Sequence, residues 1–458
     1  MIEEERIKRA KQKNVKIYPI YKIFAWDLLF YYSIIFLFLN QEKGLSSSNI
    51  IFGNAFYPIF KIMFQPIAPP IIYVIGKRKG CMLGNVFVSI SILYIILSSA
   101  SVTNLIISNL IMAAGYVFKG ICESGLLNEC ITDTEKKNSK FAKIDGRGSA
   151  YWYMFEAISS VTTGFLFVIN PYIPMYMCFI LCIIGTIISF CFEYYKVKKQ
   201  EKRKVISRKI IMSKLRLSLQ EYRFIFKSRR LRALLVFSTV FYGVLYIRSN
   251  LTSSLLVDMN IPDKYFGVIS GMFTIFAVIT TWQQNFFHKK LRNKVLTVFS
   301  LAYSVSLLMI GLTIILSINY RATLIIVFGM MIIQNMIKGP YYTYIKRYLN
   351  GFSNSRLSVK IYSVNSVMED LGSTTISFLV SWMLAHVSTA YTALIIGLGC
   401  LVLFIFILDY MSTRIGLKPE EYRKEDIEFI PKEVKEEMKM VEISVGIDDN
   451  GETKIEIK

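Results

Sequence analysis

Nine ionisable side chains stand inside the long apolar runs of this 458-residue chain, and they are where chemistry could occur. Five are acids (Asp27, Glu123, Glu156, Glu369 and Asp370) and four are bases (Lys61, Lys119, Arg248 and Lys338). Charges at membrane depth are costly, so they face a bundle interior, paired or hydrated, and mark ion or substrate paths. In "FKGICESGLLNECITD" Lys119 and Glu123 are four residues apart, so on a helix they share a face and can pair. A movement that takes the lysine away from such an acid lets the acid take up a proton. That makes the five acids candidates for proton coupling, with Asp27 and Glu123 foremost, and the four bases candidates for lining a substrate cavity.

Other chemistries find no support in the sequence. The seven cysteines lie in or beside apolar runs without metal-ligand spacing, and the two histidines, His288 and His386, are far apart. No metal, cofactor or catalytic residue is expected, and no nucleophile–base pair points to an enzyme. The phosphate-binding pattern GxxxxGK[ST] is missing, which argues against direct drive by ATP.

The elements that position these charges must be helices. The chain is 53% hydrophobic and 19% charged, and its apolar runs of about 20 residues match a hydrocarbon core of ~30 Å. In lipid each backbone polar group must be satisfied within its own segment, so the reading is an all-α polytopic membrane protein. Twelve spans are predicted near 18–40, 48–75, 81–100, 103–128, 149–170, 172–195, 233–257, 263–287, 295–317, 321–345, 362–386 and 389–412. Pro66, Pro69 and Pro70 predict a kink in the second.

Basic connectors at 76–80, 134–147, 288–294 and 346–360 alternate with connectors poor in charge, such as "NPYIP". The positive-inside rule then places both termini in the cytoplasm of a multi-pass protein of the plasma membrane. It also explains the net charge of +22 without a nucleic-acid partner. The basic stretch "RIKRAKQKNVK" precedes the first span without a cleavage pattern, so that span reads as retained.

Four regions are expected: a six-helix bundle with an N-terminal arm over 1–195, a basic linker over 196–232, a second six-helix bundle over 233–412 and a tail over 413–458. Within the linker Leu215, Leu219, Tyr222 and Phe226 fall at helical spacing, which fits either an interfacial helix or a solvated connector. Alternation around Asn450-Gly451 signals a hairpin in the tail.

The two bundles read as copies. Lys119-Gly120 and Lys338-Gly339 lie 219 residues apart, and Lys143-Ile144 and Lys360-Ile361 lie 217 apart, at corresponding places in the topology. "GKRKG" after the second span and "HKKLRNK" after the eighth repeat the pattern. Six spans, a basic linker and six spans then suggest a parallel repeat.

Over residues 18–412 this architecture resembles the major facilitator superfamily, whose loop after the second span usually reads Gly-x-x-x-Asp-Arg-x-Gly-Arg-Arg. In "PPIIYVIGKRK" Gly76, Lys77 and Arg78 match it, whereas Pro69 replaces the first glycine and Tyr73 the aspartate that supports a gating charge network in the family. "ESGLLNECITD", with Ser124, Gly125 and Asp133, and "KIDGRG" at 143–148 are similar to bacterial drug-efflux-like members. The resemblance implies a monomeric secondary transporter that works by alternating access, coupled to protons and favouring efflux of a drug or metabolite. Gly76, Lys77 and Arg78 would form its cytoplasmic gate loop. The acids suit a cationic substrate and the bases an anionic one. The competing reading is a membrane sensor or lipid-handling protein that keeps the fold without coupled flux.

Overall fold

The computed structural model describes residues 2–131, 137–193, 229–291, 294–316, 319–351, 358–412, 444–447 and 453–456. The linker apart from its last residues, and most of the tail, lie outside them, and with them the expected interfacial helix. Within the tail Ser444–Ile447 and Thr453–Glu456 pair antiparallel, with Val445 opposite Ile455.

Twelve helical spans in two six-helix bundles make up the rest. Nine helices among the described residues are long and apolar enough to cross a membrane. A tenth span is the bent pair Ser47–Phe64 and Ala68–Ile75, which turn by 57°. The prolines explain this bend: Pro69 and Pro70 open the second piece, where missing amide hydrogens cost little.

The other two crossings depart from simple apolarity. Ser358–His386, span eleven, carries Glu369, Asp370 and a run of Ser and Thr that dilutes its hydropathy. Span one is the larger departure from expectation. The sequence predicts a continuous helix over 18–40, but the helix Ile2–Ala25 stops at mid-membrane. The chain turns through Trp26 to Ile34, then resumes as a single turn, Ile35–Leu37, and a π-helix, Phe38–Glu42. Phe30 holds a left-handed φ of 60°, a conformation costing a bulky residue about 1–3 kcal/mol, which tertiary contacts must offset.

The remaining spans of the first bundle are Lys77–Leu97, Val102–Cys130, Lys137–Ile169 and Tyr172–Phe190. The second bundle comprises Arg229–Asp258, Lys264–Trp282, Val295–Leu316, Tyr320–Gly351, Ser358–His386 and Thr389–Ser412. Apart from span one, the expected boundaries hold within about five residues except that the fifth begins at Lys137 rather than 149 and the tenth runs on to Gly351 rather than 345.

The repeat is visible in who packs on whom. In the first bundle span one packs on five and six, three on four and six, and two on four. Seven on eleven and twelve, nine on ten and twelve, and eight on ten repeat those pairings in the second. Between bundles span two meets eleven and span five meets eight, the same pairing with the halves exchanged. At the five–eight crossing the backbones almost touch: a Cβ on Gly267 would lie 2.1 Å from Ser160 O, so only glycine fits. Apolar side chains such as Ile325 and Phe406 stand exposed on the outer faces, where lipid takes the place of a protein core.

Candidate functional site

The break in span one frees backbone carbonyls inside the membrane, and side chains from other helices satisfy them. Lys119 Nζ donates to Ala25 O at 2.5 Å and Trp26 O at 3.3 Å, and lies 4.1 Å from the centre of the Tyr116 ring. Trp152 Nε1 donates to Asp27 O at 3.2 Å. Asp27 caps the turn with its own side chain, Oδ1 accepting from Leu28 N at 2.9 Å. The same oxygen accepts from Tyr32 Oη at 2.8 Å and from Tyr116 Oη. Each member is held by helices distant in sequence, which is what keeps non-helical backbone tolerable at this depth.

This arrangement corrects the expected Lys119–Glu123 pair. Their spacing does place both on span four, but Lys119 turns to span one of its own bundle rather than to Glu123. Glu123 accepts instead from Tyr21 Oη at 2.6 Å, in a buried group with Asn85 and Cys81.

The central contact between bundles joins two other expected site residues. Lys61 Nζ, on span two, donates to Asp370 Oδ1 on span eleven at 2.7 Å. Asp370 is almost fully buried and its second oxygen has no hydrogen-bond partner, while the Lys61 side chain is 23% exposed. Lys61 lies about 21 Å along its helix from the end opposite the termini, near mid-membrane. Beyond it towards that end, spans two and eleven are fastened by Thr374 to Ala55 O and by reciprocal bonds between Ser48 and Ser381. Tyr246 to Asn54 O, Ser254 to Ser47 and Gln41 to Asp263 complete the closure. On the terminal side of Lys61–Asp370 no hydrogen bond or ion pair joins the bundles among the described residues. Among the described residues, the hydrogen bonds and ion pairs that tie the two bundles lie on one face of the membrane.

The interior of the second bundle has a different balance. Arg248 is buried, its guanidinium donating to Asn335 Oδ1 at 2.5 Å, while its Nε has no acceptor. Asn335 stands one turn from Lys338 on span ten, and Gln334, four residues before Lys338, has a buried side-chain nitrogen without an acceptor. Lys338 forms no hydrogen bond or ion pair with the described residues, and it shares span ten with Asn335, the residue that Arg248 holds. Glu156 comes from span five of the other bundle, which meets span eight, and span eight in turn packs on span ten beside Lys338. Glu156 Oε1 accepts from Ser160 at 3.3 Å and its Oε2 is buried without a donor. Glu369, beside Asp370 in sequence, accepts from Ser238 Oγ at 2.8 Å on span seven.

The loop after span two ties that part of the first bundle together. Gly76 adopts a φ of 88°, which glycine tolerates without strain. Lys77 donates to Glu129 at the end of span four, and Arg78 Nη2 donates to Phe190 O, closing the end of span six, at 2.9 Å. Tyr73, where the family has an acidic residue, is exposed. The loop's charges therefore hold spans four and six rather than the opposite bundle.

Sequence reasoning missed Tyr21, Tyr116 and Trp152, which look like ordinary aromatics of apolar helices, and Gln334 and Asn335. The last two were legible as a polar pair interrupting "MMIIQNMIKGP" one turn before the lysine.

A family model described as Major Facilitator Superfamily matches residues 20–351. Among solved structures, the nucleoside transporter NupG aligns with a TM-score of 0.68 at 11% identity, covering 88% of this chain and 99% of its own. The D-xylose-proton symporter aligns at 0.62 and 10% identity over 91% of this chain and 100% of its own. A POT family transporter in complex with 5-aminolevulinic acid aligns at 0.60 and 14% identity over 88% and 95%. A comparison with curated protein sequences returns no match.

Proposed function

This chain belongs to the Major Facilitator Superfamily, and on that footing we propose that it moves a small molecule across the cell membrane by alternating access, driven by protons. The observation that carries this reading is the one-sidedness of the contacts between bundles. From Lys61–Asp370 to the face opposite the termini the bundles are fastened, and on the terminal side no hydrogen bond or ion pair joins them among the described residues. The basic connectors assign the terminal side to the cytoplasm, so this is a state open inward. Opening outward requires Lys61 to leave Asp370 and the Ser48–Ser381 contacts to part while the terminal ends close.

The proton's place is Glu156. Asp27, Glu123 and Glu369 each accept from a hydroxyl of the protein, and Asp370 holds Lys61. Glu156 also accepts from a hydroxyl, that of Ser160, but its second carboxylate oxygen is buried without a donor, and unlike Asp370, which shares that feature, it holds no cation among the described residues. A proton there relieves the cost of the unsatisfied charged oxygen. Asp27 and Glu123 act as positioning groups that hold span one in its broken form.

The test is flux in proteoliposomes over a panel of small metabolites, with and without a pH gradient. Wild type should accumulate a compound only with the gradient imposed, and Glu156→Gln should still exchange that compound but no longer concentrate it. Accumulation indifferent to the gradient would overturn proton drive. A folded protein that binds compounds yet moves none would leave the sensor reading in its place.

A further inference from the structure

We infer that the donor cluster on spans seven and ten, Arg248 with Gln334 and Lys338, is the binding site for an anionic group, a carboxylate or phosphate, of the transported molecule. The inference rests on the transport reading for the word "transported" but on its own geometry for the site. Arg248 spends one donor on Asn335 and has a buried Nε without an acceptor. Gln334 presents a second buried donor without an acceptor, and Lys338 one turn later has no hydrogen-bond partner among the described residues. No carboxylate lies within ion-pair distance of either cation among the described residues, although every other base at membrane depth has found an acceptor.

Two uncompensated cations and a surplus of donors at mid-membrane are costly, and nothing in the fold requires them to be adjacent. An incoming carboxylate or phosphate supplies both the missing charge and the missing acceptors. Arg presents parallel donors suited to either group, and Lys a point charge. Tyr342, one turn beyond Lys338 on span ten, is exposed and offers the rest of the molecule aromatic and hydroxyl contacts. Span eight links Glu156 and Lys338: Ala157, next to Glu156, meets Gly271, and Gly339, next to Lys338, meets Ala277, so an anion arriving at Lys338 approaches a carboxylate unless that carboxylate carries a proton. Anion and proton would therefore enter together, which joins the site to the driving ion. A cationic, drug-like substrate would meet the reverse: a pair of positive charges where it must rest.

Binding is tested on purified full-length protein by thermal stabilisation with benzoate, phenyl phosphate, benzylammonium and benzyl alcohol, which share a ring and differ in charge. The expected result is stabilisation by benzoate or phenyl phosphate and not by the amine or alcohol. Lys338→Gln should weaken it about tenfold and Lys338→Arg should restore it. Arg248→Gln should weaken it further, but the Lys338 pair carries the test if Arg248→Gln fails to fold. Stabilisation by the amine or alcohol alone, equal stabilisation of wild type and Lys338→Gln, or no stabilisation by either anion up to its solubility would each overturn the site. Stabilisation by phosphatidylglycerol with no response to the soluble anions would assign the cluster to a lipid headgroup and overturn a substrate role. Wild type that binds the anions but moves neither in proteoliposomes would sink the transport reading and leave the site standing. Flux of other compounds with no competition from the anions would do the opposite.

Discussion

Lys119 and Lys338 occupy corresponding positions in the two bundles, each followed by glycine, yet one is a structural group and the other stands unpartnered. The difference comes from the helices opposite them. Span one breaks after Ala25 and offers carbonyls that no backbone amide reaches, and Lys119 takes them. Span seven runs unbroken from Arg229 to Asp258, so its carbonyls are used within the helix and Lys338 finds none. Helix pairings repeat between the two halves; charge pairings do not. A single broken helix turns an ammonium from a group able to bind a ligand into one that holds backbone in place.

The comparison breaks most directly through the two lysines. Lys119→Met leaves the carbonyls of Ala25 and Trp26 without donors in the membrane and should cost about 3 kcal/mol. Lys338→Met removes a charge without a partner and should leave stability within about 0.5 kcal/mol of wild type, or raise it. Thermal unfolding in detergent decides this, and equal losses would show that the two sites are alike after all.

Next in size is the contact that joins the halves. Lys61→Met leaves Asp370 buried without its cation and should cost about 2 kcal/mol, less than for a fully buried pair because Lys61 is partly exposed. Lys61→Met with Asp370→Asn should recover most of it. Both variants should raise labelling of a cysteine introduced at Ser48 from the face opposite the termini. Because the cysteine itself replaces Ser48, unchanged labelling would mean that the bonds at Ala55, Asn54, Ser47 and Asp263 keep that face shut.

The smallest effects come from the glycines after the two lysines. At Gly339 a Cβ would lie 2.3 Å from Ala277 O on span eight, so Gly339→Ala should destabilise by about 1–2 kcal/mol. At Gly120 nothing lies within 4 Å, and Gly120→Ala should be neutral or stabilise by up to about 0.8 kcal/mol through helix propensity. Opposite signs at equivalent positions would sharpen the distinction between the halves, and like signs would blur it.

The candidate site was legible in part. That Lys61, Arg248 and Lys338 lie at membrane depth follows from their places in apolar runs, and the bend at Pro66 to Pro70 follows from lost amide donors. The break at Trp26 to Ile34 carried no such signal, because "WDLLFYYSI" contains neither glycine nor proline. Asp27 was the one hint, an aspartate able to bond its own backbone, and it became decisive only with Trp152 and Lys119 placed against it.

What the sequence by itself determined is therefore local in kind: which segments are apolar enough to be helices, how many there are, where basic connectors alternate, and which ionisable groups must stand in the membrane. These properties are set by residues within one or two turns of each other, and lipid enforces them segment by segment. Only the tertiary structure decided which charges meet. Lys61 reaches Asp370 across 309 residues of sequence, and Lys119 reaches Ala25 across 94, while Glu123, only four residues away, is passed over. At short range in sequence a lysine and a glutamate can merely pair. A carbonyl freed by a broken helix cannot be satisfied by its own segment, so where packing brings a donor to it, that need outweighs the nearer partner.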